Sequence, residues 1–163
     1  DCHRQKALDE REKLKNDLVE QSRGARVQRI RGELSSSLES YRQAQQSLLK
    51  WQETKPLRSV EKLMLRNTYY FIGSVLFDLG QYDAAIQSYS RAVNRYPNTP
   101  ETLEAHVQMA RAYRALKKTE EARGTIEQAK HLLGRMKPET PLRQTTNYDK
   151  AEWAALLDKL SAM

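Results

Sequence analysis

The stretch from Arg66 to Thr99, RNTYYFIGSVLFDLGQYDAAIQSYSRAVNRYPNT, decides the fold. Tyr69, Ile72, Gly73 and Leu76 fall at helical spacing and share one side of an α-helix. Gly80 closes that helix, because glycine readily takes the left-handed backbone that ends one, and with Tyr82 it forms the turn. Ala85, Tyr89 and Ala92 then mark a second helix. Pro97 stops it after Tyr96, since the residue before a proline is driven out of the helical region. Gly73 and Ala85 are small where two helices approach most closely, and a larger side chain would force them apart. Ala92 suits contact with the following helix, while Tyr69, Ile72 and Tyr89 fill the wedge. The stretch therefore reads as an antiparallel helix pair.

Downstream, the same order of residue types returns 37 residues later. It begins at Leu103 and places Met109, Ala110, Tyr113, Ala122, Ile126 and Ala129 in corresponding positions. His106 replaces an aromatic residue, Gly134 stands where the first unit has Pro97, and Lys117 replaces the turn glycine, so that turn is expected to differ in detail. The join, Tyr96 to Thr102, lies between helices, with Thr99 as a cap, Pro100 in the next first turn and Thr119 capping the helix after that. The repeated unit resembles the tetratricopeptide repeat family, a 34-residue helix-turn-helix. The resemblance runs from Arg66 to about Leu133. It implies an all-α, right-handed α-solenoid of antiparallel helix pairs that binds proteins and is not an enzyme. The join is similar to that of bacterial envelope members, the Tol-associated periplasmic coordinator and outer-membrane assembly lipoproteins, which implies an envelope or periplasmic scaffold.

Upstream, Val60, Met64 and the residues above predict a helix from about Leu57 to Leu79 with these positions inward. Glu53-Thr54-Lys55-Pro56 breaks the helix before it. That earlier helix carries Val27, Ile30, Leu34, Ser37, Tyr41, Ala44, Leu48 and Trp51 at alternating intervals of three and four. Packing within the chain is favoured over a coiled coil, which needs more sustained heptads; a dimer through residues 27–51 is the alternative. Gly24 predicts a kink, a break or a frayed joint near Gln21 to Arg26. Before it, Gln5 to about Leu18 reads as an exposed, charged helix with Ala7, Leu8, Leu14 and Leu18 as its apolar positions. After a polar loop, Asp149 and Glu152 form a capping box for a last helix carrying Trp153, Leu156, Leu157 and Leu160. The expected organisation is an extension (1–26), a hairpin with a degenerate repeat (27–65), two repeats (66–99 and 100–136), a loop (137–147) and a capping helix (148–163).

The 163 residues carry 28 basic and 21 acidic side chains, a net charge of +7, and one cysteine, so no internal disulfide forms. No apolar run approaches the ~20 residues that span a bilayer. His3, His106 and His131 have no second ligand at metal spacing, and no phosphate loop, nucleophile elbow or paired-cysteine motif is present. No cofactor, metal or catalytic residue is expected. Arg23, Arg26, Arg29 and Arg31 form an acid-free basic group, a candidate anion site, but lack the interleaved aromatics that stack on bases. A solvated helix edge is the favoured reading, and nucleic acid is not the expected partner; binding of a polyanion or nucleic acid through this group and a second one, Arg111, Arg114, Lys117 and Lys118, is the alternative.

In the family that the repeats resemble, outward positions of the first helices contact a partner in a concave groove. By register these are Asn67, Tyr70, Ser74, Phe77 and Asp78, then Glu104, Val107, Arg111, Arg114 and Ala115. Tyr70 and Phe77 suit apolar anchors, and Arg111 and Arg114 suit carboxylates. The expected partner is a protein or peptide with apolar and acidic residues, not a small-molecule substrate. Tyr70, Ser74 and Glu104 stand at positions where chaperone-tail-binding relatives clamp a terminal carboxylate, so no such clamp is predicted.

Overall fold

The structure, a computed structural model, describes residues 2–15 and 20–162. These form eight helices and no strand: α1 (Cys2–Lys15), α2 (Glu20–Thr54), α3 (Ser59–Asp78), α4 (Tyr82–Arg95), α5 (Glu101–Ala115), α6 (Thr119–Arg135), α7 (Leu142–Thr146) and α8 (Lys150–Ser161). The all-α class read from the sequence is the class observed. No helix is long and apolar enough to cross a membrane among the described residues. The chain divides into two compact units, 1–81 and 82–163.

In the first unit, α2 packs against both α1 and α3. It runs unbroken through Gly24, so the break expected there is absent. A Cβ at Gly24 would touch nothing, so the glycine costs helix propensity without obstructing packing. The single stripe expected on α2 is also corrected. Ile30, Leu34, Ser37 and Leu48 are buried, but Val27, Ala44 and Trp51 are exposed, and Leu38 is buried instead. A helix gripped from two directions buries a broader arc than one three-and-four stripe describes. Nor is α1 merely exposed: Ala7 is fully buried, a small residue on the helix that lies along α2. Leu8 is exposed, and Leu18 and the side chain of Leu14 lie outside what is described.

Leu48, Leu57 and Leu65 form a core cluster where α2 turns into α3. Deeper in this pair, Gln45 Nε2 donates to Thr68 Oγ1 (3.2 Å), which donates to the Leu65 carbonyl (2.6 Å). The polar atoms are satisfied inside an apolar contact. Glu61 caps α3, accepting from the Arg58 backbone N–H (2.8 Å) and its guanidinium (2.7 Å). Val60 and Met64, expected inward, are 66% and 54% exposed, because α3 begins about two turns before the repeat and these positions lie on its outer side.

The second unit joins α4 to α5 and α5 to α6, and α8 packs on α6. Its core runs through Leu103, Ala110, Ala122, Ile126, Ala129 and Leu133 to Trp153 and Leu157. The turns that close α3 and α5 have the same backbone bonds. Gly80 N–H donates to Phe77 and Gln81 N–H to Leu76; Lys117 N–H donates to Arg114 and Lys118 N–H to Tyr113, each at 2.9 Å. The expected difference at Lys117 is therefore absent: the lysine takes the left-handed backbone itself, with φ 61° against 77° at Gly80. Thr119 is the first residue of α6 and not its cap, a place taken by Lys118 without a side-chain bond.

The expected loop 137–147 contains α7, whose Leu142 and Thr146 are buried. Trp153 is 2% exposed, and its Nε1 donates to Thr146 Oγ1 (2.8 Å), so the short helix receives the indole of α8. The capping box forms as expected. Glu152 N–H donates to Asp149 Oδ1 (2.9 Å), and Asp149 N–H donates to Glu152 Oε2 (2.8 Å).

Candidate partner-binding faces

Register alone placed the candidate residues along α3 and α5. On α3, Asn67, Tyr70, Ser74 and Phe77 are all half-buried, and none belongs to the buried side formed by Leu65, Thr68, Ile72 and Leu76. Asp78 has another occupation. Arg11 Nη1 donates to its Oδ1 (2.9 Å), Arg11 Nη2 donates to its carbonyl (2.6 Å), and Arg4 Nη2 lies 3.6 Å from Oδ2. Two guanidinium groups from α1 thus close the C-terminal end of α3, where cations also complement the helix dipole. Sequence reading missed Arg4 and Arg11, because their partner is more than sixty residues away.

On α5 the five positions separate. Val107 packs against the core of the second unit, and Arg114 Nη2 donates to the Leu160 carbonyl near the end of α8. The capping helix claims the side that the register left open. Arg111 is exposed and donates to Gln108 Oε1 (3.1 Å), and Ala115 is exposed. Glu104 is half-buried, and burial pushes its carboxyl above the ordinary range, with the neighbouring Glu101 carboxylate adding to the effect. The outward part of α5 is therefore Glu104, Gln108, Arg111 and Ala115.

The basic group on α2 is partly neutralised within its own unit. Arg26 Nη1 lies 3.4 Å and Arg29 Nη1 3.7 Å from Glu10 Oε2 of α1, while Arg23 and Arg31 are exposed. Farther along α2, a cavity of about 500 Å³ is lined by His3, Arg4, Leu8, Ser37, Tyr41 and Phe71, among others. The Tyr41 and Phe71 rings lie 5.1 Å apart at 35°. Burial raises the Tyr41 phenol, against the opposing pull of Arg4. His3 Nδ1 is paired with Glu33 across α1 and α2. This cavity needs three helices at once, so no single stretch of sequence reveals it.

His106 is buried, as its packing position implied, and burial lowers its imidazole pKa. Among the described residues no group of three His, Cys, Asp or Glu side chains is placed to hold a metal.

A family model described as tetratricopeptide repeat matches residues 64–130, from within α3 through most of α6. No curated protein and no solved structure matches the chain.

Proposed function

Because residues 64–130 belong to the tetratricopeptide repeat family, whose repeats generally mediate protein–protein interactions and are typically non-catalytic, we propose that this chain is an adaptor that holds a segment of a partner protein. The observation that carries this reading is the division of labour on α3. Ile72, Gly73 and Leu76 are buried in packing, and Ala85, Tyr89 and Ala92 of α4 are buried likewise. Asn67, Tyr70, Ser74 and Phe77 remain as a half-exposed face with two aromatic rings. The partner chemistry proposed for this face is apolar side chains on Tyr70 and Phe77, and that proposed for the separate outward face of α5 is a carboxylate on Arg111. Arg114 and Asp78 serve the fold and leave the proposed contact set. The finer placement, in bacterial envelope assembly, rests on the join from Tyr96 to Thr102 alone.

The test is comparative capture. The chain and a Tyr70→Ala, Arg111→Ala variant are immobilised side by side and exposed to envelope and cytosolic extracts. A partner held by the first and lost by the second supports the reading. A partner held equally by both refutes the choice of faces.

A further inference from the structure

We propose that the end of the helical hairpin formed by α2 and α3 docks on the surface of an anionic lipid bilayer. Eight large apolar side chains are exposed among the described residues, and four of them, Trp51, Val60, Leu63 and Met64, fall at this end. They are between 46% and 66% exposed. None of the four lines the cavity to which Phe71 contributes. None belongs to the α3 and α5 faces proposed above, so the inference does not depend on that reading.

Apolar side chains scattered singly over a surface need no explanation, but a cluster of them marks a contact. The hairpin does not use these four for its own packing. Leu57 and Leu65 from the same stretch are buried with Leu48, and they supply the core between the two helices. The position of the four suits an interface. Trp51 lies in the last turn of α2, which ends at Thr54, and Val60, Leu63 and Met64 lie in the first two turns of α3, which begins at Ser59. Met64, the farthest of them, is about 7.5 Å along the axis from the start of its helix, at roughly 1.5 Å per residue. A surface-bound helix sinks its apolar side chains about 5–10 Å into the boundary between headgroups and acyl chains. Tryptophan favours that boundary, and valine, leucine and methionine enter it without losing hydration of a polar group.

The surrounding charge selects the occupant. Lys50, Lys55, Arg58 and Lys62 are exposed at the same end. Of the two carboxylates there, Glu61 is 5% exposed and already accepts from the Arg58 backbone N–H and guanidinium. Three lysines thus face one exposed carboxylate, that of Glu53. Lys55 Nζ lies 4.8 Å from the centroid of the Trp51 ring, so the cationic and apolar parts are interleaved. A lysine can rest its stem on apolar surface and hold its ammonium at the level of lipid phosphates. A second copy is a poorer occupant, because two such ends would set lysines against lysines. A protein partner needs a matched shape, whereas a fluid bilayer accepts apolar side chains from two helix ends on either side of a turn. No helix among the described residues can cross a bilayer, so the contact is peripheral and reversible, with insertion and charge acting together.

The experiment mixes the full chain with vesicles of phosphatidylcholine alone, or of phosphatidylcholine with about 30% phosphatidylglycerol, and reads co-sedimentation and tryptophan emission. Binding to the anionic vesicles is expected to be at least about tenfold tighter than to the neutral ones, and to be lost in about 0.5 M salt, where surface charges are screened. Emission should shift to the blue on binding, a change that reports Trp51 because Trp153 is already buried. Anionic vesicles with brominated acyl chains should quench it. The double variant Val60→Ser, Met64→Ser removes only exposed apolar atoms, so it should keep the helical circular dichroism and lose both the shift and the quenching. Lys50→Gln, Lys62→Gln leaves the contact between Lys55 and Trp51 in place and should weaken binding to anionic vesicles about tenfold. The proposal is overturned by failure to sediment with anionic vesicles at low salt, by equal binding to neutral vesicles, by sedimentation without quenching of Trp51, or by binding that the Val60→Ser, Met64→Ser variant retains. A dimer mass in analytical ultracentrifugation that the same variant reduces to a monomer also overturns it, as the end would then belong to a second copy.

Discussion

Lys117 occupies a backbone with φ 61°, where an L side chain crowds its own carbonyl and glycine does not. Lys117→Gly is therefore expected to stabilise the chain by about 0.5–1 kcal/mol, read as a higher urea midpoint at unchanged slope. The sequence showed that a lysine stood in the glycine's place, but not that it copies the glycine's geometry. That depends on whether the helix can end otherwise, and the bonds from Lys117 to Arg114 and Lys118 to Tyr113 leave it no alternative. Glu104 gives a second outcome at this scale. Its carboxyl holds a proton more tightly folded than unfolded, so stability is lost as pH rises through and above the ordinary carboxylate value of 4.5. Glu104→Gln should raise the thermal midpoint at neutral pH, and the gain should vanish near about pH 3, where the glutamate is protonated in both states. The site residues were legible only as a register. Val107 and Arg114 are set apart from Arg111 by α8, which belongs to no repeat, so spacing within α5 carried no sign of it.

Helices were legible where local signals agreed with their neighbours. The end of α3 at Gly80 and the capping box of α8 are short-range chemistry, complete within a few residues. Asp149→Ala should destabilise the second unit by about 1 kcal/mol, measured by thermal melting, since it removes the acceptor for the Glu152 N–H. The helix α2 was less legible, because its surroundings are not local. Leu34 is 1% exposed and Leu48 7%, so these two positions of the stripe that offered a dimer seam are already covered from within the chain. Leu34→Asp is accordingly expected to cost several kcal/mol and appear as lost helical circular dichroism, not as a folded monomer released from a dimer. A folded variant of halved mass would contradict this. The short helix α7 escaped sequence reading for another reason: five residues are too few to show periodicity, and what holds it is Trp153, seven positions beyond Thr146.

For the whole molecule, charge is spread and not focused. Residues 1–81 hold 15 basic and 11 acidic side chains, and residues 82–163 hold 13 and 10. Two modest surpluses of similar size favour solubility over a polyanion track, and Glu10 offsets two of the four arginines in the most basic stretch. Gel-shift titration with duplex DNA should show no complex at about 0.15 M salt, where weak phosphate contacts are screened. Retention of DNA at that ionic strength would restore the polyanion reading. The placement of the two tryptophans has a practical consequence. Trp51 lies in the first unit and is 47% exposed, whereas Trp153 lies in the second and is 2% exposed. Indole emission is red and accessible to quenchers in water, and blue and protected in an apolar interior. The chain therefore carries one optical reporter for each unit. Acrylamide should silence the red component first, and the blue component should redden only when α8 leaves its seat on α7, so the unfolding of the two units can be followed separately without any label.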